Sequence, residues 1–189
     1  MKDYQIYLIL INIFGFFWGC ISLLQGNEKI KKYINIFSAI FSLFGGSLGV
    51  LLSFFLLDRK IKKENAMIKI FVLCLLIVQI IFYLIFYNSL TIDFSFNNSF
   101  IKNKYILFYL ILINVLSFIV YGIDKYKAIH NKRRIRIATL LLLAFIGGSI
   151  GSLLAMYFFR HKTNKTYFKF GIPIILVTQI ILFFFLISL

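Results

Sequence analysis

Apolar and polar positions follow one another along this chain in blocks. Six apolar blocks, at 4–24, 34–57, 67–87, 104–123, 137–159 and 170–188, are separated by short polar stretches. Each is about the twenty residues that an α-helix needs to cross a hydrocarbon layer roughly 30 Å thick. None has the two-residue period of a barrel strand, so the pattern predicts an all-α integral membrane protein whose backbone groups are satisfied within each helix. The first block follows "MKDYQ" directly, without a small-residue cleavage site, and reads as a retained helix. The second and fifth blocks carry a glycine pair at their midpoints, Gly45-Gly46 and Gly147-Gly148.

Those two blocks are copies of one pattern. A shift of 102 positions lays "SLFGGSLGVLLSFFLLDRK" (42–60) over "AFIGGSIGSLLAMYFFRHK" (144–162), pairing Gly45, Gly46, Ser47 and Gly49 with Gly147, Gly148, Ser149 and Gly151. The same shift sets Asn12 on Asn114, and a two-residue gap brings "IVQII" (77–81) onto "LVTQII" (176–181). The expectation is a tandem duplication: a first membrane repeat over 1–95, a second over 96–189, and a polar connector at 88–103.

Charge then bears on topology. If all six blocks cross, lysines and arginines number 12 on one side and 9 on the other, almost without the bias that orients membrane proteins. If the second and fifth blocks enter and leave on one face, that face collects 18 and the other 3. The count favours two parallel repeats, each a helix, a glycine-centred re-entrant helical hairpin and a second helix. Half-blocks of about eleven residues would reach some 16 Å, to mid-membrane, and glycine permits the reversal there. The alternative stays open, because Gly45 to Gly49 and Gly147 to Gly151 also fit the small-xxx-small packing of straight spanning helices.

Composition excludes more than it assigns. A chain that is 61% hydrophobic, with a mean hydropathy of +0.94, has more apolar surface than a soluble domain of 189 residues can bury. It carries 21 lysines and arginines against six acids. Cys20 and Cys74 lie inside apolar blocks, without redox or metal spacing. No nucleophile elbow, phosphate loop, carboxylate pair or metal cluster is present, so no catalytic residue, metal site or cofactor is expected.

The stretch from Tyr121 to Leu176 contains "GIDK" (122–125), Arg136, the glycine pair 147–148 and "RHKT" (160–163), in that order. It resembles the bacterial membrane family known as domain of unknown function 1294, over about the C-terminal half. The resemblance implies architecture rather than chemistry. The Pro-Glu that usually follows the family's Arg-Ile reads Ala138-Thr139 here, so a role for that glutamate has no bearer. In the first repeat Ser22 and Leu23 replace Asp124 and Lys125, and "DRK" (58–60) replaces "RHK", which marks the N-terminal half as the divergent copy.

The ligand or pore candidates are Asn12, Asn114, Asp124, Arg136, Arg160, His161 and Lys162, with the hairpin glycines Gly45, Gly46, Gly49, Gly147, Gly148 and Gly151. Asp124, at the end of an apolar helix, would pair with Arg160 as a clamp, since a charge at the membrane boundary is costly unless paired or hydrated, or would serve a ligand or ion. His161 suits an interfacial donor or a proton carrier. His130 reads as solvated. Asn12 and Asn114, like Gln79 and Gln179, would bridge helices or line a polar path.

The first functional expectation is a small channel or transporter for an ion or small solute in a bacterial cytoplasmic (inner) membrane. The second is a non-enzymatic scaffold or accessory subunit whose basic cytoplasmic face binds lipid, nucleic acid or a protein. A membrane enzyme acting on lipid phosphate through Arg160, His161 and Lys162 is third. The expected partners are anionic lipid head groups, then a homo-oligomer or protein partner, with nucleic acid the less favoured.

Overall fold

A computed structural model describes residues 3–24, 28–57, 65–88 and 104–188; the polar connector expected at 88–103 falls almost wholly outside them, as does "DRK". Among the described residues the protein is all helical, without a strand. The helices are α1 (Asp3–Leu24), α2 (Glu28–Phe41), α3 (Ser47–Leu57), α4 (Ala66–Asn88), α5 (Lys104–Ile129), α6 (Ile137–Leu143), α7 (Ser149–Phe158), α8 (Thr166–Lys169) and α9 (Gly171–Ser188). By length and composition six segments could cross a membrane: Tyr4–Ser22, Asn35–Leu57, Ala66–Ile85, Tyr105–Ile129, Ile137–Phe158 and Thr166–Leu186. Large apolar side chains such as Phe14, Phe17, Phe108 and Phe158 stay more than 60% exposed, as suits helices solvated by hydrocarbon. The lone proline, Pro173, stands in the first turn of α9, where a missing N–H is tolerated.

The chain divides into two compact units, Met1–Phe82 and Tyr83–Leu189. The boundary expected after residue 95 falls outside the described residues.

In the first unit α2 and α3 are laid against α1. Ser22 donates to the side-chain oxygen of Asn35 at 2.7 Å, and Trp18 packs on Phe37 and Phe41, so α2 runs opposite to α1. The helix then breaks over Ser42–Gly46, where Gly45 takes φ +105°. Beyond the break the contacts climb α1 again. The Gly49 N–H donates to the Asn12 side-chain oxygen, and Gly19 faces Ser53, so α3 runs with α1. Val50, Phe54, Ile68 and Val72 form this unit's apolar core.

The second unit repeats the path on α5. Near its end Asp124 accepts the Ile135 N–H, and a turn earlier Tyr121 reaches the Leu140 carbonyl. Gly147, at φ +131°, lies against Ile113 and Leu110. From there the partners ascend: Asn114 with Gly151, Ser117 with Ser152, Gly122 with Phe159, and Asp124 with His161. As one straight helix, Ile137–Phe158 would hold its ends about 32 Å apart. Instead, the residues just before it and just after it meet one carboxylate.

Candidate functional site

The sites are built from the places where the helices break. A break orphans backbone carbonyls and N–H groups, and each orphan in an apolar surrounding costs several kcal/mol unless a side chain takes it. Asn114 and Gln179 take them in the second unit. The Asn114 amide nitrogen donates to the carbonyls of Leu110, at 2.7 Å, and Gly147, at 3.0 Å, while its oxygen accepts the Gly151 N–H at 2.7 Å. Gln179 donates to the carbonyls of Ala144 and Phe145, and its oxygen accepts the Ser149 hydroxyl.

The first unit makes the corresponding bonds, 102 residues earlier for the asparagine and 100 for the glutamine. Asn12 bridges Leu8, Gly45 and Gly49, and Gln79 joins the Ser42 carbonyl to the Ser47 hydroxyl. Tyr7 donates to Phe44 as Tyr109 does to Ile146. The glycines allow the approach: a Cβ on Gly49 or Gly151 would lie about 2 Å from the Asn12 or Asn114 carbonyl oxygen. Gly46 and Gly148 are similarly hemmed in by backbone and by Ser117.

Away from the breaks the units differ. In the second, Ser117, Tyr121 and Asp124 extend the Asn114 stripe toward the basic end, at helical spacing, and all three are fully buried. Ser117 and Ser152 share a hydrogen bond of 2.6 Å. Their counterparts in the first unit are Gly15, Gly19 and Ser22. There the space is filled by closer helix contact, and Ser22 bonds Asn35. The sequence reading missed Ser117, Tyr121 and Ser152, although the 114, 117, 121, 124 spacing on one helix face carried the signal.

Asp124 is the centre of the charged cluster. One carboxylate oxygen accepts the Ile135 N–H at 2.8 Å; the other meets His161 Nε2 at 2.8 Å and Lys162 Nζ at 2.7 Å. The expected Asp124–Arg160 pair is therefore replaced by Asp124 with His161 and Lys162. The reason is the backbone, because just beyond the end of α7 Arg160 lies in the left-handed region, φ +45°, with the His161 N–H closing back on the Met156 carbonyl. That turn sends His161 inward and leaves Arg160 exposed. Lys162 is also left-handed, φ +63°, and lies over the Phe168 ring. A non-glycine residue in that region costs about 1 kcal/mol, so two of them flanking His161 mark a strained turn.

Burial pulls the Lys162 ammonium below the usual lysine range, opposed by its bond to Asp124 and helped by the charge of nearby Arg134. Arg136 is exposed at the start of α6. His130 is also exposed, stacked on Tyr126. No group of three metal-ligating side chains occurs among the described residues. Cys74 is buried and Cys20 half-buried.

Residues 114–168, from the break-bridging asparagine through the charged cluster, match the family described as protein of unknown function (DUF1294). Over 74 residues the chain is 49% identical to "Uncharacterized protein YsdA" of Bacillus subtilis (strain 168), an overlap of 39% of this chain and 83% of that protein. No solved structure matches it.

Proposed function

Because the chain belongs to the DUF1294 family, whose description assigns no activity, we propose from its geometry a non-catalytic multi-pass protein of a bacterial cytoplasmic membrane that binds anionic groups at one basic face. Each unit is a copy of one duplicated element, and its broken block is a re-entrant helical hairpin that enters and leaves the bilayer on that face. The observation that carries this reading is the convergence of Ile135, His161 and Lys162 on Asp124. Cations before and after the block then belong to one surface, in accord with the 18-to-3 division of lysines and arginines. The similar bonds around Asn12 and Asn114 support the duplication.

Cysteine accessibility tests it. With Cys20 and Cys74 changed to alanine, Arg134→Cys and Thr163→Cys should both resist a membrane-impermeant maleimide in intact cells and both react in inside-out vesicles. Labelling from opposite sides would return the fifth block to a straight crossing and overturn the reading.

A second reading, a small channel or transporter for an ion or small solute, is favoured by the interruption of two candidate spans at Gly45 and Gly147. Irregular backbone at membrane depth is tolerated against protein or beside water. Here Asn12, Asn114, Gln79 and Gln179 already take the freed groups, so a solute would compete with them. Proteoliposomes should pass potassium or chloride faster than liposomes holding Gly147→Leu; equal rates would sink this reading.

A further inference from the structure

We propose that the basic end of the Tyr83–Leu189 unit is a docking surface for the phosphate headgroup of an anionic phospholipid, held between loop 132–136 and turn 160–165. The inference rests on the basic-face reading and names the occupant of that face.

Asp124 determines the geometry. By bonding Ile135 on one oxygen and His161 and Lys162 on the other, it fixes two loops distant in sequence side by side. Arg134 and Arg136 flank Ile135, and Arg160 flanks His161; all three side chains are exposed. Ile135 of one loop and His161 and Lys162 of the other meet on the Asp124 carboxylate, which places the cations beside them on neighbouring loops. Lys165 and Lys169 continue the surface. The carboxylate itself is fully buried and used by its three donors. No other acid stands among the described residues of this unit, so nothing exposed there repels an anion. Guanidinium groups suit phosphate oxygens by geometry as well as charge.

The surroundings favour a lipid over a soluble polyanion. Tyr126, Tyr157, Phe158 and Phe170 lie beside the cations in sequence and are more than half exposed, as is Ile129. Tyrosine at the edge of an apolar helix marks the headgroup level of a bilayer. A bilayer covers the apolar ring with its acyl region while its phosphates reach the arginines. A nucleic acid lying on the same cations would leave the rings in water.

The experiment uses the full chain in neutral-detergent micelles, titrated with fluorescent phosphatidylglycerol or phosphatidylcholine. Phosphatidylglycerol should bind at least about tenfold more tightly, with a preference that shrinks as salt shortens the screening length. Each arginine removed near such a surface should weaken binding about fivefold, so Arg133→Gln/Arg134→Gln/Arg136→Gln should lose on the order of a hundredfold. If the triple variant unfolds, the single Arg134→Gln and Arg136→Gln proteins should each show the fivefold loss. Equal binding of the two lipids, or unchanged binding by the folded variants, would overturn the proposal. So would displacement of the lipid by inorganic phosphate or single-stranded RNA at lower concentration than by unlabelled phosphatidylglycerol. Displacement by either anion would leave the basic-face reading standing, whereas no salt-sensitive binding of any anion would remove both.

Discussion

Gly151→Ala should destabilise the folded protein by about 3 kcal/mol, the upper end of what overpacking costs. The added carbon would lie 2.0 Å from the Asn114 carbonyl oxygen, a backbone atom that cannot rotate away. To accept it, α7 must move off α5, which stretches the Gly151 N–H bond to the Asn114 side chain and weakens the bridge to Gly147. A hydrogen bond lost in an apolar surrounding leaves both partners without water to replace it. Gly122→Ala is the internal control. Its new carbon would meet only the Phe159 ring, at 3.1 Å, and that side chain can shift. Thermal unfolding of both variants in one detergent measures the contrast. Similar midpoints would mean that α5 and α7 do not approach as described.

Asp124→Ala is expected to cost about 3 kcal/mol, because removing one partner of a buried ion pair leaves the others uncompensated. The Ile135 N–H, His161 and Lys162 would all lose their acceptor. The lower end of the usual range applies, since Lys162 and His161 retain a little exposure and can reach solvent. Asp124→Asn should be milder, keeping an oxygen for Ile135. Lys162→Met should be milder still. A cycle of Asp124→Asn, Lys162→Met and the double variant should give a double change smaller than the sum by more than about 1 kcal/mol. Strict additivity would mean that the two groups do not interact.

The parts of this molecule that could be read early share one cause. Length and apolarity announced helices, since hydrocarbon leaves the backbone few ways to satisfy itself. The glycine pairs announced breaks, and Gly45 and Gly147 do adopt left-handed φ. Asn12, Asn114, Gln79 and Gln179 stand out as amides inside apolar runs, where sequence favours helix bridging over a polar path. In the folded chain these amides donate to the carbonyls that the breaks set free.

The charged cluster was half legible. Asp124 is conspicuous as an acid among cations, and a hairpin with adjacent ends points to Arg160 as its partner. The left-handed turn at 160 reversed that choice, and left-handed arginine has no sequence signature of its own. For Ser117 and Tyr121 the spacing from Asn114 to Asp124 marks a shared helix face but no partner. Hydroxyls are common on apolar helices, and only a facing partner such as Ser152 gives them a place.

By itself the sequence determined that six apolar helices form, that two of them carry a glycine pair at mid-length, and that the basic residues crowd into a few short segments. These follow from local composition acting against a fixed solvent. Only the tertiary structure decided which side chain closes each break, which cations reach Asp124 and which remain outside. Those choices depend on where distant residues meet, and a bond between positions 114 and 151 or 124 and 161 exists only once the intervening chain has turned back.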